Sequence, residues 1–169
     1  QNSGGVHCLK YGLTTNNLLG LELVLISGEV IRLGGKHLDP AGYDLMGILT
    51  GSEGLLGVVT EVTVRLLKRP ETARALVAGF PSSEQAGAAV AAVIGAGIIP
   101  AGMEMMDRPA IHAAEDFVHA GYPLDVEALL IVELDGCGAE LDHLIGRVEE
   151  IALKNGSVTC RISQSEEER

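Results

Sequence analysis

Residues 76–97 read LVAGFPSSEQAGAAVAAVIGAG, and the change of period inside them decides the architecture. Leu76 to Phe80 is short, apolar and bounded by Pro81, which reads as a strand. Pro81-Ser82-Ser83-Glu84-Gln85 is a helix entry with a Ser82/Gln85 capping box. Ala86, Ala89, Val90, Val93 and Ile94 then fall at helical spacing, and Gly95 to Gly97 ends the run. Downstream the order repeats. Gly102 to Met106 is a strand, Asp107 caps a short helix carrying Ile111, Ala114, Phe117 and Val118, and Leu129 to Leu134 is another strand. A last helix aligns Leu141, Leu144, Ile145, Val148, Ile151 and Ala152, stops at Asn155-Gly156, and leads into Val158 to Ile162. Two βαβ units joined by a short helix predict a four-stranded antiparallel sheet with its two main helices on one face, a ferredoxin-like α+β domain.

Upstream the pattern is β-rich. Leu21, Leu23 and Leu25 alternate with Glu22, Val24 and Ile26, and Ser27-Gly28 before Glu29 to Leu33 predicts a hairpin with a two-residue turn. Asp44 to Leu49 suits a short helix. After the Gly51 to Gly57 loop, Val58, Thr60, Val62, Val64 and Leu66 are expected to share one strand face. Pro70 among Lys68, Arg69, Glu71 and Arg74 breaks the pattern, which places a domain boundary there: residues 1–74 and 75–169. The closing Glu166 to Arg169 is a helix start or a frayed end. The chain opens at Gln1-Asn2-Ser3-Gly4-Gly5, a loop-like sequence without an initiating methionine, so a piece of a longer protein is expected.

Composition excludes several classes. Twelve basic against 23 acidic residues give a net charge of -11, a field that repels nucleic-acid backbones and anionic lipid surfaces. Tryptophan is absent and aromatics are 3%, which removes stacking platforms for single-stranded bases. Cys8, Cys137 and Cys160 form no C-x-x-C pair, so neither a disulfide framework nor a zinc site is indicated, and a reducing cytoplasm fits. The uncharged stretch from Ala86 to Met103 is interrupted by Gly95, Gly97, Pro100 and Gly102 and reads as a buried helix followed by a strand, not as a membrane span.

Glycine carries the remaining signal, with 22 in the chain clustered at Gly4, Gly5, Gly12 and at Gly51, Gly54, Gly57. The run Gly51-Ser52-Glu53-Gly54-Leu55-Leu56-Gly57-Val58 has the wrong spacing for a dinucleotide fingerprint or a Walker loop. Its glycines permit close approach of backbone to a ligand, or simply a tight turn. His7 and Lys10 are polar contacts to a cofactor or ordinary loop side chains. His112, Asp116 and His119 lie at i, i+4 and i+7 but lack a fourth ligand, so no metal is assigned to them. Met103, Met105 and Met106 suit core filling on a strand.

The strings NSGGVHCLKYGLTTNNLLGLELVL, GYDLMGILTGSEGLLGVVTEVTVRLL and IIPAGMEMMDRPAIHAAEDFVHAGYPLDVEALLIVELDG together span most of the chain. They resemble the FAD-linked oxidases of the vanillyl-alcohol oxidase type, and within these the glycolate oxidase branch. The resemblance implies that residues up to about Arg74 are the C-terminal part of a PCMH-type FAD-binding domain, and that the rest begins the ferredoxin-like cap domain. For FAD it carries over Asn2, Ser3, Gly4, Gly5, Gly12, Gly51, Ser52, Glu53, Gly54, Gly57 and Val58. It implies oxidation of glycolate to glyoxylate by hydride transfer to flavin N5, with D-lactate or another D-2-hydroxy acid as the alternative substrate. Partner subunits, a second flavoprotein-like one and an iron-sulfur one, would take the electrons and provide any attachment to the inner membrane. The family's pyrophosphate loop is expected before Gln1, and its HxGDGN-like, EHG-like and W-x-x-R-K segments after Arg169. The chain alone is therefore expected to be inactive and to hold FAD poorly, and no catalytic base or carboxylate clamp is assigned within it. A non-catalytic ferredoxin-like module that binds a subunit is the rival reading.

Overall fold

The computed structural model describes residues 2–37 and 42–165, so Glu166 to Arg169 lie outside the described residues. The chain divides into two compact units, Gln1–Lys68 and Arg69–Arg169. A boundary at Arg74 would cut a strand, because the first strand of the second unit starts at Thr72.

The first unit opens with a 3₁₀ turn Gly5–His7 and two single-turn helices, α1 (Cys8–Tyr11) and α2 (Thr14–Asn17). Strands β1 (Leu18–Val24) and β2 (Val30–Gly34), helix α3 (Leu45–Leu49) and strand β3 (Val58–Val64) follow. The sheet is antiparallel with β1 central. The expected hairpin is present, but its loop has three residues. Leu25 N–H donates to the Glu29 carbonyl at 2.8 Å and Gly28 N–H to the Leu25 carbonyl at 2.9 Å. Gly28 has φ +84, so the connection is a turn closed by a left-handed glycine, the second commonest hairpin solution.

The expected single face of β3 is also corrected. Glu22 pairs with Glu61 while Leu23 pairs with Val59, which leaves Thr60 as an extra residue. Such a bulge inverts side-chain alternation. Val59 and Val62 therefore face the same way as Leu23 and Leu21, whereas Val58 opposes Val24 on the other face. The displaced Thr60 hydroxyl donates to Glu22 Oε1 at 2.8 Å, and Arg32 Nε to Glu22 Oε2 at 2.7 Å. The Thr60 hydrogen bond, then the Arg32 guanidinium, holds the Glu22 carboxyl below the usual carboxylate range. Leu66, expected in the strand, lies past its end.

The second unit contains β4 (Thr72–Phe80), α4 (Ser83–Gly95), β5 (Gly102–Asp107), α5 (Arg108–Val118), β6 (Ala128–Gly136), α6 (Gly138–Lys154) and β7 (Thr159–Ile162). Every strand pair is antiparallel and the order is β5-β6-β4-β7, which is the ferredoxin-like arrangement expected. Alternation explains the core. Leu76, Ala78 and Phe80 of β4 and Ala128, Leu130, Val132 and Leu134 of β6 meet Ala86, Ala89 and Val93 of α4 and Leu141, Ile145, Val148 and Ala152 of α6. Full burial of a side chain such as Leu76 or Phe80 contributes about 1.5–3 kcal/mol. The opposite sheet face carries a smaller cluster of Ile111, Val126 and Leu129, with Val77, Met106, Tyr122 and Ile131 against it.

The entries of α4 and α5 are capped by side chains, whereas that of α6, at Cys137, is not. Ser82 Oγ accepts from Gln85 N–H at 3.3 Å, and Asp107 Oδ1 from Ala110 N–H at 3.0 Å. The Gln85 side chain lies against Gly156. On α5 only Ile111 is buried, while Phe117 is 86% exposed and Val118 is exposed too, so the apolar stripe expected there is cut short. Met103 packs on the main core and Met106 on the smaller cluster, but Met105 is exposed. Among the described residues no helix is long and apolar enough to cross a membrane.

Candidate functional site

Both glycine-rich stretches lie in the first unit, and the fold brings parts of them together. A Cβ placed on Gly51 would lie 3.7 Å from Asn2 Cβ and 3.9 Å from Asn2 N. The Asn2 to Gly5 segment is anchored on its other side by α2. Asn2 Oδ1 accepts both the Thr15 N–H at 3.0 Å and the Thr15 hydroxyl at 2.8 Å, and the Thr14 hydroxyl donates to the Ser3 carbonyl at 2.6 Å. Gly4 packs so tightly that a Cβ would meet Cys8 Cβ at 2.5 Å. Gly12, at the end of α1, lies against Asn16, whose Oδ1 accepts the Leu13 N–H at 2.8 Å. Asn17 closes this corner by donating to the carbonyls of Tyr11 at 2.8 Å and Leu13 at 3.0 Å and accepting from Arg65 Nη2 at 3.1 Å.

The second stretch is a tight turn. Leu55 N–H donates to the Ser52 carbonyl at 3.0 Å, and the two residues between them, Glu53 and Gly54, have φ +54 and +84. Two successive left-handed residues make a type I′ turn, which suits Gly54 and costs about 1–2 kcal/mol at Glu53. Gly57 and Val58 play a different part from Gly51 to Gly54. A Cβ on Gly57 would strike Leu23 Cδ1 at 2.5 Å, and Val58 starts β3 opposite Val24. They secure the loop to the sheet.

This turn and the first stretch share one chemical property. Among the described residues, the backbone N–H groups of Ser3, Gly4, Gly5, Gly51, Glu53 and Gly54 have no protein acceptor. At Gly5 and Gly54 nothing stands within 4 Å of where a side chain would begin. Beside the first stretch lies an open cleft of about 350 Å³, lined by Ser3, Gly4, Tyr11, Gly12, Asn17 and Val64 among others. Its size is in the range of small-molecule sites. Free amides on bare backbone suit a ligand rich in carbonyl, ring-nitrogen and phosphate acceptors, and this donor set fits FAD. Lys10 Nζ sits 5.5 Å from the Tyr11 ring centroid, and the His7 ring stands edge-on to Tyr11 at 6.5 Å.

Sequence reasoning missed Thr14, Thr15, Asn16 and Asn17 as organisers of the site. Four consecutive residues with short polar side chains that can bond local backbone were a partial signal: Asn16 and Asn17 do so, while Thr14 and Thr15 reach back to Ser3 and Asn2. In the second unit, His119 leaves α5 in a left-handed conformation at φ +51 and so does not continue the face of His112 and Asp116. Glu115 instead accepts Tyr122 N–H at 2.9 Å and Gly121 N–H at 3.0 Å, and the Tyr122 amide chiefly holds its carboxyl below the usual range. Among the described residues no three His, Cys, Asp or Glu side chains are grouped to hold a metal ion.

Comparison with known proteins adds the family context. The family described as FAD linked oxidases, C-terminal domain, matches residues 69–169. Over 169 residues the chain is 54% identical to the glycolate oxidase subunit GlcD of Escherichia coli (strain K12), covering 100% of this chain and 34% of that protein. The Bacillus subtilis subunit of the same name is 41% identical over 169 residues, 99% of this chain and 36% of that one. A D-lactate dehydrogenase of Anaerostipes hadrus is 28% identical over 172 residues, 97% of this chain and 36% of that one. The chain thus spans about a third of the length of these relatives. Among solved structures, an alkyldihydroxyacetonephosphate synthase superposes with a TM-score of 0.75 at 22% identity, over 94% of this chain and 32% of that one, which is a likeness of fold.

Proposed function

The chain belongs to the FAD-linked oxidase family, and on that premise we propose that it is part of an FAD-dependent 2-hydroxy-acid dehydrogenase that oxidises glycolate to glyoxylate. The observation that carries the cofactor is the meeting of Asn2 and Gly51, which sets two groups of free amides beside each other on one unit. The first unit is proposed as the C-terminal part of a PCMH-type FAD-binding domain and the second as the start of the cap domain, with the boundary expected at Arg74 moved to Lys68 so that β4 stays whole. Asn2, Ser3, Gly4, Gly5, Gly12, Gly51, Ser52, Glu53 and Gly54 would hold FAD mostly through main chain, with Gly57 and Val58 tying their loop to β1. When bound, FAD supplies the acceptor for the substrate's hydride. The residues of this chain bind and orient; the clamp for the substrate carboxylate and the base for its hydroxyl proton are not assigned among them.

Glycolate is preferred over D-lactate because identity to the glycolate oxidase subunits, 54% and 41% over 169 residues, exceeds that to D-lactate dehydrogenases, 32% and 28% over 172 residues and 39% over 115. Other oxidase subunits, including an iron-sulfur one, are the proposed electron acceptors in a cytoplasmic assembly whose membrane attachment, where it exists, runs through them. The test is to purify the polypeptide encoded by the whole reading frame containing these residues and to record flavin absorbance before and after anaerobic substrate addition. Bound flavin bleached faster by glycolate than by D-lactate is the expected result. Flavin bleached only by D-lactate moves the substrate, and absence of flavin returns the chain to a subunit-binding module.

A further inference from the structure

We propose that Thr15 is a positioning residue for the cofactor, acting through Asn2 on the spacing of the two amide groups; this rests on the FAD reading above. The Asn2 carboxamide oxygen is held twice by one residue, by the Thr15 amide at 3.0 Å and the Thr15 hydroxyl at 2.8 Å. The next peptide is held by the neighbouring side chain, since Thr14 Oγ1 donates to the Ser3 carbonyl at 2.6 Å. These bonds consume acceptors on one side of the Asn2 to Gly5 segment and leave the Ser3, Gly4 and Gly5 N–H groups without a protein partner among the described residues. Asn2 is also the residue that Gly51 approaches, with 3.7 Å between Asn2 Cβ and a Cβ built on Gly51. A shift of Asn2 therefore changes the separation between the Ser3 to Gly5 amides and the Gly51 to Gly54 turn. Thr15 itself is half-buried, and its hydroxyl hydrogen and amide hydrogen are both committed to Asn2 Oδ1. Its hydroxyl acts on the cofactor only through Asn2.

The test uses the flavoprotein from the complete reading frame, stripped of FAD and titrated with FAD alone, with Kd read from flavin fluorescence. Thr15→Val removes the hydroxyl and keeps the amide and the shape, whereas Thr15→Ser keeps the hydroxyl. Thr60→Val is the control: it removes a hydroxyl bond of the same 2.8 Å length, to Glu22, elsewhere in the same unit. Loss of one such bond should raise Kd about fivefold in Thr15→Val. Thr15→Ser and Thr60→Val should stay within about twofold of the parent. An unchanged Kd in Thr15→Val overturns the positioning role while leaving the cofactor reading intact. Equal weakening by Thr60→Val shows general destabilisation and overturns it too. A parent protein that binds no FAD removes the reading on which the proposal stands. If Thr15→Val does not fold, Asn2→Leu against Asn2→Asp tests the same contact from its acceptor side, and equal Kd values for those two overturn the proposal.

Discussion

Gly54 shows what one residue can and cannot reveal by its type. Its glycine marked a turn or a close approach; the left-handed φ of +84 and the Leu55 to Ser52 hydrogen bond make it a turn, and the open space above it leaves room for the approach. A Gly54→Val chain should lose about 1–2 kcal/mol through backbone strain alone, measured by urea unfolding. In the flavoprotein it should also lower flavin per chain, read by absorbance, because the side chain covers a free amide. Unchanged flavin content would reduce the loop to a turn. The polar run Thr14 to Asn17 was harder to read, since its contacts reach Asn2, Ser3, Tyr11 and Arg65, and only the folded chain brings these together. Cysteines differ by environment in a way that sequence does not show. Burial, with a smaller effect of Glu149, pushes the Cys160 thiol from 9.0 up to about 11, while Cys8 and Cys137 are exposed. The unfolded chain then loses its thiol proton at lower pH than the folded one, so this group's stabilising contribution is complete below about pH 9 and is lost as pH rises through about 11. At pH 8 a disulfide reagent should label two thiols quickly and Cys160 slowly, with all three equal after unfolding.

Elements were legible wherever local chemistry and burial agree. The Ser82 and Asp107 caps and the period of α4 and α6 were plain because each is settled within a few residues. The misses share another cause. The hairpin loop of three residues and the bulge at Thr60 depend on which partner residue lies opposite, which alternation alone leaves undetermined. On α5 the apolar spacing extended to Phe117, yet the sheet surface it could cover ends near Ile111. The two positions should therefore respond differently to truncation. Ile111→Ala is expected to cost about 2–5 kcal/mol, and Phe117→Ala about 0.5 kcal/mol or less, both by chemical denaturation. Comparable losses would mean that Phe117 is covered in the assembled protein. Glu115 sets the exit of the same helix. Its carboxyl is held below the usual range, so its contribution is present above about pH 4.5 and lost as pH falls further. In Glu115→Gln the amides of Gly121 and Tyr122 should exchange faster at neutral pH.

At the scale of the whole molecule the two units are unequal. Among the described residues the buried apolar side chains of the first are Leu21 and Leu23, whereas the second buries two clusters on opposite faces of one sheet. Residues 69–169 expressed alone should unfold in one cooperative transition, and protease should cut residues 1–68 first. Cleavage inside 69–169 before the first unit would contradict this ranking. The ferredoxin-like layout could be read from sequence because its stripes are complete within the unit, while the sheet of the first unit, with Val58 and Val62 exposed, could not be sorted into inner and outer faces. The position of β4 adds a matter of timing. It is the first strand of its sheet to be made but lies between β6 and β7, and Thr159, which pairs with Gly79, arrives on the order of 80 residues later. At about 5–20 residues per second, a nascent β4 waits roughly 4–16 s for its last neighbour. Throughout that interval the edge that β7 will cover is open to any other strand in the cell, so the yield of folded protein should depend on elongation rate and on what escorts the chain from the ribosome.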